Sequence, residues 1–238
     1  MLIFNILSTL WLYIAFANGI VLDENQIKEW FPNYMNSSSL FLDSRLITSI
    51  TPNTFTDLTN LNGGLFLDYN QLTSLPDSIF VGLTQLKQLY LRSNQLNALP
   101  LRIFSDLGNL QELILNSNKL NKLDASLFSG LSQLKILTLN SNQISSLSSG
   151  LFNGLASLQT LLLSSNQLVS LSGSIFVGLF ALKRVTLDDN KLVSIDRLVF
   201  VGLLNLEQVY LGENPLSNLQ PSYIRQLCTT NSKCNIYV

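Results

Sequence analysis

Leucine, asparagine and phenylalanine recur along this chain in one fixed register. In a representative unit, Leu113 and Leu115 flank Ile114, and Asn118 and Phe128 follow. This alternation with period two predicts a short β-strand that turns Leu113 and Leu115 to one face and Ile114 to the other. The unit repeats every 24 residues, with asparagine at Asn70, Asn94, Asn118, Asn142, Asn166, Asn190 and Asn214 and phenylalanine at Phe80, Phe104, Phe128, Phe152, Phe176 and Phe200.

An eighth, degenerate unit precedes these seven. It carries Phe55 and has Arg45 at the asparagine position. One residue is inserted at the start of the next unit, so that Phe55 lies 25 residues before Phe80. We expect the Gly63–Gly64 pair to absorb the extra residue as a bulge or a wide turn, since glycine tolerates backbone conformations that other residues avoid.

Strands this short cannot bury a hydrophobic face alone, so the units are expected to stack and share one core. The repeated residues resemble the extracellular, 24-residue type of the leucine-rich-repeat family, found in Toll-like ectodomains, Slit and variable lymphocyte receptors. The resemblance covers residues 38–219. It implies an α/β solenoid, a leucine-rich-repeat horseshoe with a parallel β-sheet on the concave face and irregular or short helical segments on the convex face.

The chain divides into four parts: a predicted signal peptide (1–17), an N-terminal cap (18–37), eight repeats (38–219) and a short C-terminal cap (220–238). The first part is uncharged, mostly apolar and ends in the small-x-small pattern of a cleavage site. It is shorter than the about 20 apolar residues that span a bilayer, which favours cleavage over an uncleaved N-terminal anchor, the alternative. No second long apolar stretch follows, so we expect a secreted product.

Both ends of a solenoid need caps to cover the open core. At the N-terminus, aromatic residues including Trp30, Phe31 and Tyr34 are expected to provide the cap. At the C-terminus, Cys228 and Cys234 predict one disulfide, as is usual for paired cysteines of a secreted protein. A metal site is disfavoured there because further ligands are missing.

The sequence contains an N-glycosylation sequon at Asn36-Ser37-Ser38. It lies before the first repeat. A glycan on Asn36 would therefore leave the repeats free, and we predict a glycoprotein.

Composition bears mainly on what the chain does not do. Histidine is absent, which removes the commonest general base and the commonest metal ligand. With a net charge of −1, the chain has no overall field that would attract nucleic acid. The sequence therefore predicts a protein that is not an enzyme, has no cofactor and no metal, and binds no nucleic acid.

The repeated polar and aromatic positions are interpreted as structural. A column of buried asparagines can satisfy backbone groups at each turn and link one coil to the next. Each phenylalanine is expected to stack on its neighbour, with ring centroids about 4.5–7 Å apart.

Function is expected on the outward side of the strands, the concave face, because packing does not fix the composition there. Its central column is rich in large apolar residues, which commonly marks an interaction site, although β-propensity alone also favours such residues in strands. Acidic residues gather at both ends of the face and are interpreted as solvated surface. The predicted partner-binding residues are Phe41, Phe66, Tyr90, Arg92, Ile114, Thr138, Leu162, Arg184, Thr186 and Tyr210.

Three functions remain open at this point. The favoured one is a secreted module that recognises an extracellular protein through the concave face. The second is a matrix or structural scaffold that associates laterally. The third is an innate-immune module that recognises a glycan or lipid, using the same aromatic residues.

Overall fold

The computed structural model describes residues 19–216, Tyr223, Leu227 and residues 234–238. The predicted signal peptide and Cys228 lie outside the described residues, so the leader and the disulfide remain predictions. Successive repeats each contribute one short strand to a parallel sheet, as predicted for a solenoid of eight turns. These strands are β2 (Leu40–Phe41), β4 (Gly64–Phe66), β5 (Gln88–Tyr90), β6 (Glu112–Ile114), β7 (Ile136–Thr138), β8 (Thr160–Leu162), β9 (Arg184–Thr186) and β10 (Gln208–Tyr210).

The sheet has a ninth strand that the repeat pattern does not predict. Strand β11 (Asn235–Tyr237) pairs in parallel with β10, in the register Tyr210 to Tyr237. The order of the strands in the sheet is β11-β10-β9-β8-β7-β6-β5-β4-β2. Residues after the last repeat therefore extend the concave face by one strand.

The N-terminal cap is built around a second, smaller sheet. Strand β1 (Ile20–Leu22) pairs in parallel with β3 (Ile47–Ile50), and a helix, Glu24–Trp30, follows β1. Asp23 caps this helix, since its side chain accepts the N–H of Gln26 at 2.7 Å. A short 3-10 turn, Tyr34–Asn36, completes the segment.

Arg45 holds the cap against the first repeat. Its guanidinium lies 4.5 Å from the centre of the Trp30 ring and 4.9 Å from that of Phe31. Tyr34 is buried in the core, whereas Asn36, the residue of the predicted glycosylation site, is exposed. Aromatic side chains thus cover the open end, and they do so partly by enclosing a cation.

The convex side consists of turns. Within residues 19–216 the helical segments are those of the N-terminal cap, so the repeats carry none of the short convex helices that the resemblance allowed. The six phenylalanines from Phe80 to Phe200, here called the phenylalanine column, lie under these turns at no more than 2% exposure. Their ring centroids are 5.9–6.3 Å apart and the rings are nearly parallel, which confirms the expected stacking.

The seven repeated asparagines form a ladder that joins neighbouring coils. In the middle of the solenoid, the Asn118 side chain accepts the N–H of Leu96 at 3.0 Å. It donates to the carbonyl oxygens of Leu91 at 2.9 Å and Leu115 at 3.1 Å. Leu96 and Leu91 belong to the preceding coil and Leu115 to the same one, so each amide satisfies backbone groups that the turn leaves without partners.

The inserted residue is accommodated before the second repeat strand. Leu40 pairs with Leu65 and Phe41 with Phe66, each 25 residues apart, so the strands themselves stay in register. Gly63 donates its N–H to the carbonyl of Ser38 at 2.7 Å. A Cβ on Gly63 would lie 2.7 Å from that oxygen, closer than two such atoms can pack, and the tight turn therefore requires glycine.

Candidate functional site

The register of the parallel strands brings eight of the ten predicted concave residues into one column, with Arg92 and Arg184 at flanking positions. Phe66 pairs with Tyr90, Tyr90 with Ile114, and Ile114 with Thr138. Leu162, Thr186 and Tyr210 continue the column toward the other end. Their side chains all lie on the same face of the sheet because each occupies the equivalent position of its strand. Tyr237 of β11 adds a further member that the repeat pattern did not reveal.

Three aromatic side chains form a continuous group at the N-terminal end of this column. The Phe41 and Phe66 rings stack with centroids 4.8 Å apart and planes 3° apart. Tyr90 meets Phe66 edge to face, also at 4.8 Å. Phe41 is 55% exposed even in this arrangement. We call Phe41, Phe66 and Tyr90 the N-terminal aromatic cluster.

Gly64 sets the position of Phe66. It occupies the outward position two residues before Phe66, where the following strands carry Gln88 and Glu112. A Cβ on Gly64 would lie 2.4 Å from the Phe66 ring, so the ring fills space that any side chain would take. Gly64 was not among the predicted site residues. Its only sequence signal is a glycine at a position that elsewhere carries a side chain.

A half-buried carboxylate lies beside the cluster. Asp68 Oδ1 accepts the backbone N–H of Arg92 at 2.6 Å. Burial raises the pKa of the Asp68 carboxyl to about 6; the Arg92 N–H and charge lower the pKa, and the nearby Asp43 raises it. The Arg92 guanidinium lies over the Tyr69 ring, 5.2 Å from its centre. Asp68 is therefore a carboxylate that the fold desolvates without pairing it to a side-chain cation.

Tyr90 is tied to the next strand through its hydroxyl. The Tyr90 hydroxyl donates to Glu112 Oε2 at 2.5 Å. Burial, followed by this hydrogen bond and the charge of Glu112, raises the pKa of Tyr90 above its usual range. Tyr90 therefore remains a neutral donor at physiological pH, and its ring is held in place by a polar contact as well as by Phe66.

The middle of the column corrects one expectation. Thr138 was predicted to face a partner, but it is only 7% exposed. Its hydroxyl donates to Asn116 Oδ1 at 3.2 Å and lies 3.3 Å from the N–H of Leu115, which it accepts. A short polar side chain satisfied by the adjacent strand has no reason to project from the sheet. Thr138 is therefore part of the sheet's own hydrogen bonding.

The C-terminal end of the face carries a second aromatic pair. Tyr210 stacks on Tyr237 with ring centroids 4.6 Å apart. The Arg184 guanidinium lies 5.8 Å from the Tyr210 ring centre, and its Nε donates to Gln208 Oε1 at 2.6 Å. This end differs from the N-terminal end, because Arg184 lies over a ring of the central column and is held by an amide, whereas Arg92 lies over Tyr69, outside that column.

The carboxylate at the C-terminal end is satisfied locally. Asp188 Oδ1 accepts the hydroxyl of Ser164 at 2.7 Å, and the Thr186 hydroxyl lies 2.6 Å from that of Ser164. Asp68 occupies the equivalent position near the other end and has no such side-chain donor.

A separate apolar surface lies on the convex side of the sixth and seventh repeats. Phe180 is 64% and Leu204 is 67% exposed, at equivalent positions of neighbouring coils. Val177, Val201 and Leu198 are exposed beside them. We call these five residues the convex apolar patch.

The described part of the chain offers little else for chemistry. Within it, no group of three or more cysteine, aspartate or glutamate side chains is placed to hold a metal ion. No described helix is long and apolar enough to cross a bilayer.

Comparison with known proteins agrees with this geometry. A family model described as leucine rich repeat matches residues 64–120, 108–168 and 159–216, together more than half of the chain. No curated protein matches the chain. Among solved structures, a leucine-rich-repeat protein of Leptospira interrogans is 31% identical, with a TM-score of 0.67, and the match covers 84% of this chain and 54% of that one.

Two further structures place the chain among Toll-like folds. TLR13, solved as a complex with ssRNA13, is 30% identical with a TM-score of 0.75, over 84% of this chain and 28% of TLR13. Drosophila Toll, solved with Spatzle, is 23% identical with a TM-score of 0.65, over 83% of this chain and 31% of the other. The chain thus spans about half the length of the Leptospira protein and less than a third of TLR13. The expected likeness to Toll-like ectodomains is confirmed at the level of the fold.

Proposed function

Because this chain belongs to the leucine-rich-repeat family, we propose that it is a secreted recognition module, without catalytic activity, that binds an extracellular protein through its concave face. Such solenoids generally serve as recognition scaffolds. The observation that carries the proposal is the N-terminal aromatic cluster, three rings on the sheet surface in which Phe66 contacts both Phe41 and Tyr90. Aromatic groups of this kind commonly anchor protein interfaces.

Exposure supports the concave face as the binding surface. The inward leucines are buried and form the core, so their identity is explained by packing alone. Packing gives no comparable reason for Phe41, which is more than half exposed. Several large apolar side chains grouped on an exposed face are unusual on a surface with no partner.

Charge favours a protein over a nucleic acid. TLR13 was solved with ssRNA13. In this chain, however, the central concave column and the two flanking columns, two residues before and two residues after it, together carry four carboxylates and two guanidiniums. The carboxylates are those of Asp43, Asp68, Glu112 and Asp188. A surface with excess negative charge repels a phosphate backbone.

The proposal includes secretion, which follows from the predicted leader 1–17. When the full chain is expressed in secreting cells, intact-mass analysis should find a medium product that begins at Asn18. A product that begins at Met1, or one retained on cells, would contradict release.

The test of function is a binding screen with the secreted protein. Its arms are arrays of extracellular proteins and glycans, lipid vesicles and single-stranded RNA. We expect a protein ligand whose binding is lost in Tyr90→Ala/Tyr210→Ala, a double variant that must first be shown to melt cooperatively. Binding that survives this double change would move the site away from the concave face.

The second candidate function, a laterally associating scaffold, is favoured by the convex apolar patch. The variant Phe180→Ser/Leu204→Ser removes its two most exposed side chains and leaves the concave face unchanged. It therefore serves as the matched control in the screen. If this variant loses the ligand or an oligomeric state while Tyr90→Ala/Tyr210→Ala retains it, the scaffold function replaces the recognition module.

A further inference from the structure

The N-terminal end of the concave face combines exposed aromatic rings with a carboxylate that lacks a side-chain cation. Only Oδ1 of Asp68 has a hydrogen-bond donor among the described residues, the N–H of Arg92. Its second oxygen, Oδ2, has none there. Burial makes the charged form of this carboxylate unfavourable, and the charge of Arg92, which forms no ion pair with it, offsets this only in part. An incoming cation would relieve the remainder.

The charged groups around Asp68 favour a cationic ligand. Across the outward positions of the strands β2, β4, β5 and β6, the other acidic residues are Asp43 and Glu112, and the only basic one is Arg92. Arg45 lies outside these positions, over Trp30 and Phe31. The Arg92 guanidinium is already engaged over the Tyr69 ring. Three carboxylates and one guanidinium leave this end with a net charge of −2, counting Asp68 as ionised.

Tyr69 adds an unusual backbone feature at the same place. The residue before each asparagine of the ladder has a positive φ, and in six of the seven described cases it is serine, aspartate or glutamate. Tyr69 has a φ of 55° in spite of its bulk and is half exposed. The repeat turn imposes this φ at every coil, so Tyr69 is a bulky ring held at a position that elsewhere carries a shorter or charged side chain.

We propose that Asp68 and the N-terminal aromatic cluster together receive an arginine or lysine of an extended partner segment, whose neighbouring apolar side chains pack on Phe41 and Phe66. This inference rests on the proposed function and specifies its partner. A guanidinium pairs with a carboxylate and also stacks on aromatic rings, so one side chain matches both features of the site. A phosphate matches neither feature, and an acidic glycan matches only the rings, through its sugar faces.

The probe is the peptide acetyl-Phe-Arg-Phe-amide, compared with acetyl-Phe-citrulline-Phe-amide, in which a neutral urea replaces the guanidinium. Both are titrated into the secreted protein at pH 7.5, and NMR shifts are followed at the Asp68 carboxyl and the Tyr90 ring. We expect both signals to shift, with affinity about tenfold higher for the arginine peptide, as one partly exposed charged contact gives.

Two variants locate the effect. Asp68→Asn should abolish the difference between the peptides. Asp188→Asn, which removes the equivalent carboxylate at the far end, should leave it intact. At pH 5, below the pKa of about 6 that burial confers on Asp68, the preference for arginine should also weaken, since most of the carboxyl is then protonated.

Each remaining outcome overturns the inference. Equal affinity for the two peptides would mean that the site does not distinguish a charged side chain from a neutral one. NMR shifts confined to residues other than Asp68 and Tyr90 would place the bound cation elsewhere. Absence of binding up to about 10 mM, weaker than any specific contact of this kind, would remove the cationic partner as well. None of these decides the proposed function, which depends on the separate protein screen and its Tyr90→Ala/Tyr210→Ala variant.

Discussion

Two columns of apolar side chains run along this solenoid with the same 24-residue spacing, and they behave differently. The phenylalanine column repeats one residue without change, fully buried, with ring planes 5–21° apart. The concave column changes at almost every unit, from Phe41 through Thr138 to Tyr210, and leaves Phe41 more than half exposed. Identical neighbours dictate an identical residue in the core, whereas the concave face has no such constraint. Variation within a repeat therefore shows where packing no longer determines the residue.

The largest expected effect concerns the core column. Phe128→Ala should lower the free energy of unfolding by about 3–5 kcal/mol, because it removes a fully buried ring and leaves a cavity between Phe104 and Phe152. Phe41→Ala should cost no more than about 1 kcal/mol, since its ring is already largely in water. Urea unfolding of both variants measures the contrast. Equal losses would show that the two columns are not distinct.

The asparagine ladder should give the next largest effect. Asn142→Ala removes the acceptor for the N–H of Leu120 and the donor to the carbonyls of Leu115 and Leu139. Each buried backbone group left unpaired costs about 1–3 kcal/mol, so we expect a loss of at least that size. Asn140→Ala, at a partly exposed position two residues earlier, is the matched control and should melt close to the wild type. An unchanged melting temperature in Asn142→Ala would contradict a structural role.

How much of this could be read from the sequence depends on whether a feature repeats. The strands of the eight units and the phenylalanine stacking follow from the 24-residue period, because equivalent positions of stacked coils must meet. Strand β11 was missed, since Asn235–Tyr237 lies outside the 24-residue period although it pairs directly with β10. On the convex side the resemblance allowed irregular or short helical segments, and the structure has the irregular kind, since these segments form turns.

The candidate site shows the same limit at the level of side chains. Alternation along each strand was enough to identify the outward column. It was not enough to predict that Thr138 bonds to Asn116 of the preceding coil and becomes buried. The fit of the Phe66 ring over Gly64 depends likewise on rotamers and on the inserted residue, neither of which a period can describe.

Asp68 tests whether the concave face carries a local cost in stability. The pKa of Asp68 is about 6 in the folded protein, above the ordinary value of 3.8. The folded state therefore binds this proton more tightly than the unfolded state does. The resulting contribution to the free energy of unfolding is complete below pH 3.8 and is lost as the pH rises through 6. Asn resembles the protonated carboxyl. After allowance for solvent screening of a half-buried group, Asp68→Asn should be more stable by about 1 kcal/mol at pH 7.5 and no more stable at pH 3.5.

The control for this prediction is Asp188→Asn, because Asp188 already accepts the hydroxyl of Ser164. Urea unfolding of both variants at the two pH values is the measurement. A gain at pH 7.5 in Asp68→Asn alone would locate the cost at the N-terminal end of the face. The same gain in both variants would assign it to the loss of one negative charge anywhere on the chain.

The smallest effect on stability should come from Gly64→Ala, and it sharpens the comparison most. The new Cβ would lie 2.4 Å from the Phe66 ring in its present position, so the ring must turn away and lose its stacking on Phe41. We expect a loss of about 0.5 kcal/mol, the low end of the contribution of one aromatic pair, because the Phe41 ring is more than half exposed. Gly108→Ala, where a Cβ would contact nothing within 4 Å, is the control.

Ring signals of Phe41 and Phe66 in an NMR spectrum of Gly64→Ala report the change directly. If these signals move while those of the phenylalanine column stay in place, the concave aromatic cluster can rearrange without disturbing the core. The arrangement of the Phe41 and Phe66 rings could then be changed by a substitution at Gly64, which is not itself part of the aromatic column. If the signals of Phe80 and Phe104 move as well, the two columns are mechanically coupled. Variation on the concave face would then be limited by the core, and the contrast between the two columns would be one of degree.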